Sequence, residues 1–151
     1  MIEIRCAASA DAEALADLRW QFRSKGDSED EPHDAFVHRC TTWMRRELSA
    51  GSSWQAWVAV DQQVIVGQVW LRTIQKIPNP IVESEQLAYL SNLYVAPGSR
   101  GGVGSRLLDT ALESCRAGAV DRVVLWPTRR SVTLYSGRGF SRAAGVMELK
   151  L

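Results

Sequence analysis

Much is missing from this 151-residue chain, and each absence removes a class of protein. No apolar run approaches the ~20 residues needed to cross a bilayer, and the opening Met1-Ile2-Glu3-Ile4-Arg5 has no signal-peptide core, so a cytoplasmic protein without membrane partners is expected. Charge of one sign is absent too: 18 Lys and Arg against 17 Asp and Glu leave a net +1, which gives no general pull toward nucleic acid. Arg122, Arg129, Arg130, Arg138 and Arg142 are scattered over different elements without interleaved aromatic residues, so no nucleic-acid partner is expected from them either. The 3 cysteines, Cys6, Cys40 and Cys115, are odd in number and widely spaced among apolar neighbours; they read as reduced core thiols rather than disulfides. The local group His33, His38 and Cys40 lacks the paired ligands of a zinc site, and no metal is expected. No Gly-x-Ser-x-Gly elbow marks a nucleophile, and there is no internal repeat, low-complexity tract or linker.

What remains is a chain that is 46% apolar, enough for one core and one domain spanning residues 1–151. Ile2 to Ala7 is β-compatible. Ser9 is placed to cap a helix with Asp11 and Glu13 in its first turn and Leu15, Leu18 and Phe22 at helical spacing. An acidic connection, Gly26 to Pro32, leads to a second helix whose stripe is Phe36, Val37, Cys40, Met44 and Leu48. Trp54 to Val60 and Val64 to Ile74, separated by Asp61-Gln62-Gln63, predict a hairpin. Gln75 to Glu85 reads as a loop and Leu87 to Val95 as a central strand. Leu107, Leu108, Ala111, Leu112 and Cys115 give the next helix its buried stripe, with Gly118 as its stop. Strand, helix, strand then implies a parallel crossover to the strand at Val123. At the end, Met147, Leu149 and Leu151 alternate with Glu148 and Lys150, predicting a last strand after a bulge or turn at Gly145.

The most informative segment is the exit from that central strand. Leu93-Tyr94-Val95-Ala96-Pro97-Gly98-Ser99-Arg100-Gly101-Gly102-Val103-Gly104-Ser105 is a strand, a glycine-rich turn and a helix start, an arrangement whose free amides and helix dipole suit phosphate. A kinase-type NTPase loop requires Lys followed by Ser or Thr after its last glycine, and a dinucleotide fingerprint requires a third spaced glycine; neither is present. The segment resembles the pyrophosphate loop of the GNAT superfamily of acetyl-CoA-dependent N-acetyltransferases. The family arginine usually stands three places before the first glycine of the Gly-x-Gly pair; here that place is Ser99 and the arginine is Arg100, so the loop reads as shortened. A second segment carries the same resemblance: Val123-Val124-Leu125-Trp126-Pro127-Thr128, then Leu134-Tyr135-Ser136-Gly137-Arg138-Gly139-Phe140.

The resemblance covers nearly the whole chain and implies an α/β fold with a mixed (α+β) sheet. That sheet is central and twisted, with six to seven strands and about four helices in the order β-α-α-β-β-β-α-β-α-β-β. It implies acetyl-CoA as cosubstrate, bound by Leu93, Tyr94, Val95, Arg100, Gly101, Gly102, Val103, Gly104 and Ser105, with Ser131 in place of the family's usual Asn, and with Tyr135. Tyr135, five residues ahead of Phe140, stands where the family often keeps the acid that protonates the departing thiolate; its other reading is an aromatic packed under its helix. Glu85, and Glu83 before it, stand where a family base would accept the amine's proton, or are solvated loop residues. Ser91 and Asn92 are expected on opposite faces of the central strand. Acceptor selection is implied for Trp20 to Glu31 and Gln75 to Glu85, where Asp27, Glu29, Asp30 and Glu31 would attract a cationic amine.

The expected reaction is direct attack of a primary amine, from a small molecule or peptide, on the thioester within a ternary complex. The alternative is a non-catalytic acetyl-CoA-binding or sensing module, against which the retention of Tyr135 argues. A homodimer formed through the C-terminal strand is compatible with the family.

Overall fold

The computed structural model describes residues 1–24, 30–99 and 101–151. Arg100 of the expected phosphate loop, and Asp27 and Glu29 of the acidic connection, lie outside the described residues. The elements are β1 (Glu3–Cys6), a 3-10 turn (Ser9–Asp11), α1 (Ala12–Arg23), α2 (His33–Glu47), β2 (Trp54–Asp61), β3 (Val64–Gln75), β4 (Gln86–Val95), α3 (Val103–Ala117), β5 (Val123–Val124) and α4 (Val132–Ser136). The strands form one five-stranded sheet in sequence order. β1 to β4 pair antiparallel and β5 joins β4 in parallel, so the sheet is mixed, as expected.

Local chemistry accounts for the joints. Gln62 and Gln63 turn the β2–β3 hairpin with φ of 46° and 68°, the two left-handed residues that a tight primed turn needs to match strand twist. The start of α1 is secured by Asp11 rather than Ser9. The Asp11 carboxylate accepts the Ala8 N–H at 2.7 Å and a fork from the Arg5 guanidinium at 2.8 and 3.0 Å. Between α1 and α2, the His33 ring reaches Asp17 at 3.0 Å and Asp34 at 2.9 Å.

Alternating residues send two cores to the two faces of the sheet. On one face Trp57, Val69, Leu71 and Leu90 pack with Leu107, Leu108 and Ala111 of α3. On the other, Ala56, Val58 and Trp70 pack with Leu15 and Ala16 of α1 and Met44 of α2. Among the described residues no helix is long and apolar enough to cross a membrane.

Two expectations need correction. The sheet has five strands among the described residues, because residues 137–151 form none: Met147 is 97% and Leu149 82% exposed. Alternation makes a segment β-compatible, but a strand also needs an edge to pair with, and β5 offers only two residues. Cys6 is exposed on the edge strand β1, so only Cys115 is a fully buried thiol.

Candidate active site

One irregularity in β4 organises the site. Trp70 of β3 stands opposite Ser91 and Gln68 opposite Tyr94, so Asn92 and Leu93 together face the single residue Val69. This is a β-bulge, and Asn92 takes the left-handed conformation, φ 57°, that Asn tolerates better than most residues. Because the bulge breaks the alternation, Ser91 and Asn92 do not part to opposite faces; both line both of the cavities described next. On its other side β4 pairs with β5 only at Ala88 with Val123 and Tyr89 with Val124, and beyond Tyr89 the two strands separate.

A cavity of about 190 Å³ occupies this opening. Leu93, Ser131, Trp126 and Tyr135 contribute to its wall. Ser131 precedes α4 and donates its hydroxyl to the Thr128 carbonyl at 3.0 Å. Tyr135 is 8% exposed, and its ring lies edge-on to Phe140 at 5.5 Å. Its hydroxyl has no hydrogen-bond partner among the described residues, and burial pushes its pKa up to about 12, which keeps the proton in place at physiological pH. Tyr94 turns its ring onto Phe22 at 5.0 Å, while Val95 is buried beneath the start of α3.

The glycine loop leads directly into α3. Gly102 takes φ 82°, and its carbonyl accepts the Arg106 N–H at 3.2 Å, leaving the amides of Val103, Gly104 and Ser105 ahead of the first helical bond. A Cβ on Gly101 or Gly102 would meet nothing within 4 Å, and one on Gly104 only Val95 Cγ2 at 3.8 Å. The first turn of α3 carries no acidic residue. An open cradle of amides at the positive end of a 15-residue helix fits a pyrophosphate.

The second, larger cavity, about 330 Å³, lies on the sheet face covered by α1 and α2. Trp43, Trp54 and Trp70 form much of its wall, with ring centroids 5.6 to 6.0 Å apart. Trp70 is fixed from behind. Its indole N–H donates to the fully buried Gln68 at 2.9 Å, and Gln68 donates in turn to the Leu15 carbonyl of α1 at 3.1 Å. Arg19 stands where the two cavities meet and borders both. Its guanidinium donates to Asn92 Oδ1 at 3.2 Å, and burial together with nearby Arg23 lowers its pKa. Among the described residues no carboxylate lines either cavity.

Of the residues expected from sequence, Leu93, Ser131 and Tyr135 come together at the smaller cavity. Glu85 does not join them. It sits exposed at the other end of β4, accepting from Gln75 at 3.3 Å; Ser91 lies six residues on, roughly 20 Å along an extended chain. Glu83 is also exposed and accepts from Asn79 at 2.6 Å. No residue from Gln75 to Glu85 borders the larger cavity, whose walls come from α1, α2, β2, β3 and β4. Arg19, Trp43, Trp54 and Tyr89 were not singled out by sequence. The one available signal was Asn92, a poor strand former inside an otherwise apolar strand.

The acetyltransferase (GNAT) family pattern matches residues 12–140. Among solved structures, a predicted acetyltransferase of Clostridium acetobutylicum with acetyl-CoA superposes with a TM-score of 0.80 at 20% identity, covering 99% of this chain and 96% of that one. A GCN5-related N-acetyltransferase of Ralstonia eutropha gives 0.76 at 22% identity, covering 99% of each chain. Glucosamine-6-phosphate N-acetyltransferase of Arabidopsis thaliana gives 0.73 at 16%, covering 99% and 98%. No curated protein sequence matches the chain.

Proposed function

The chain belongs to the acetyltransferase (GNAT) family, and from that premise we propose that it moves an acetyl group from acetyl-CoA to a primary amine by direct attack in a ternary complex. In this reading the amides of Val103, Gly104 and Ser105 hold the pyrophosphate, and the pantetheine arm lies in the opening between β4 and β5. The Leu93 N–H at the bulge polarises the thioester carbonyl and stabilises charge developing on its oxygen. Both substrates then meet at Arg19, Ser91 and Asn92, where the cavities join.

The amine nitrogen bonds to the acetyl carbon as the carbon–sulfur bond breaks. Sulfur takes the Tyr135 proton, which solvent then replaces, and the nitrogen sheds its proton to water. A free amine of pKa near ~10 is mostly protonated at neutral pH. Arginines on the wall, and the lack of a bordering carboxylate among the described residues, disfavour the ammonium form, so in this reading the acceptor reacts as the neutral amine.

The observation that carries this reading is Tyr135, a buried residue that keeps its proton and lines the same cavity as Leu93 beside the β4 bulge. The test is calorimetric titration with acetyl-CoA and desulfo-CoA, followed by thiol release over an amine panel. Binding with release on one class of amine supports the enzyme. Binding without release from any amine would leave a cofactor-holding module, and no binding would remove the assigned role of the loop.

A further inference from the structure

The larger cavity constrains the acceptor more closely than the family does. Its volume of about 330 Å³ suits a single small molecule, and its Trp43, Trp54 and Trp70 walls favour a flat apolar group. Three arginines stand at or near it. Arg39 is spent on Glu31, at 2.6 and 3.0 Å, and Arg72 lies over the Trp54 ring at 5.8 Å. Arg19 is half-buried at the cavity wall: it lies over the Phe22 ring at 5.9 Å, its hydrogen-bond partner is the neutral Asn92 amide, and it has no carboxylate partner among the described residues. A cation desolvated in this way gains most from a bound anion, and a guanidinium can still offer a two-point fork to a carboxylate. A polyamine or other cationic acceptor would instead meet arginines and, among the described residues, no bordering carboxylate.

We propose that the acceptor is an α-amino acid with a flat apolar side chain, its carboxylate held by Arg19 and its side chain seated among Trp43, Trp54 and Trp70. This rests on the acetyltransferase reading above. One carbon separates the amine from the carboxylate in such a molecule. A carboxylate on Arg19 therefore sets the nitrogen beside Ser91 and Asn92, at the junction the thioester reaches from the other cavity. The third substituent on that carbon points into the tryptophan walls. A peptide N-terminus lacks the adjacent carboxylate and does not satisfy Arg19.

The probes are L-phenylalanine, L-phenylalaninamide and L-alanine, each followed by thiol release with acetyl-CoA and by quenching of tryptophan fluorescence, which reports occupancy without turnover. Phenylalanine is expected to exceed the amide in kcat/KM by about 10- to 100-fold, the value of a charge-assisted contact, and to exceed alanine by at least about 10-fold. Arg19→Gln is expected to bring the acid-to-amide ratio near one, with Arg19→Lys in between. An amide or short peptide used as well as the acid, or an unchanged ratio in Arg19→Gln, overturns the proposal. So does the absence of both quenching and release with phenylalanine, which needs no variant to fold. If acetyl-CoA binds and a different amine is acetylated, only this inference falls; if acetyl-CoA does not bind, the acetyltransferase reading falls, and quenching still decides whether the amino acid binds.

Discussion

Replacing Tyr135 by Phe separates catalysis from folding with little ambiguity. The hydroxyl has no protein partner among the described residues, so its loss breaks no hydrogen bond, and the edge-on contact with Phe140 at 5.5 Å survives. Stability near neutral pH should therefore change by less than about 1 kcal/mol. Turnover should fall, because the sulfur then leaves without a proton. A thiol of pKa near ~8 to 9 is a fair leaving group unaided, which sets the loss at the lower end for general acids, about 100-fold in kcat. Thiol release at saturating substrates measures this, and calorimetry should show acetyl-CoA affinity nearly unchanged. The pKa adds an independent check. Burial raises it from 10 to about 12, so the folded state favours the neutral phenol. That preference is fully present below pH 10 and is lost as pH rises toward 12, worth at most about 3 kcal/mol. Wild-type stability should thus fall in that window by an amount that Tyr135→Phe does not show. A kcat within threefold of wild type would refute the assignment of Tyr135 as the acid.

Gly104→Asp should leave the fold intact, since a Cβ there makes only an ordinary contact with Val95 at 3.8 Å, while its carboxylate faces the amide cradle; acetyl-CoA affinity by calorimetry should drop at least about 10-fold. Gln68→Leu strands the Trp70 indole N–H in the core, while the Leu15 carbonyl keeps its bond within α1, and should cost about 1–3 kcal/mol in denaturant unfolding, with acceptor KM rising more than kcat falls as the Trp70 wall loosens. Asn92→Gly keeps the left-handed bulge and a near-normal melting temperature but loses the bond to Arg19, whereas Asn92→Val forces a β-branched residue to φ 57° and should cost about 1–3 kcal/mol.

The elements that sequence made legible are those whose cause is local. Periodic apolar residues marked α2 and α3, and Gly118 ends α3 where the stripe stops. The Asp61-Gln62-Gln63 break gave the hairpin, although it contains neither the Gly nor the Asn such turns favour. Tyr135 and Ser131 fell beside Leu93 because two short motifs flank the opening between β4 and β5. Illegible features depend on what lies across space. Whether Met147 to Leu151 pairs is decided by the edge available at β5, and no pattern within the segment reports that. Glu85 adjoins the central strand in sequence, yet adjacency along a strand is distance: the strand that carries Asn92 into the site carries Glu85 away from it.

Charge shows the same limit from the other side. In sequence, Glu31 belongs to an acidic run suited to attracting cations; in the fold its carboxylate accepts from Arg39 and is neutralised there, and Asp30 is simply exposed. Among the described residues the charge that borders the cavities is positive, and Arg19 gains its place through a residue 73 positions away. That residue, Asn92, also makes the bulge, so one backbone distortion does two things. It breaks the alternation of β4 beside Leu93, and it presents an amide oxygen that accepts from the Arg19 guanidinium at the junction of the cavities. In the proposed reaction Asn92 thus serves thioester polarisation through its backbone and acceptor anchoring through its side chain, and Asn92→Gly, which suits the backbone but removes the amide, should weaken acceptor binding while leaving cofactor binding in place.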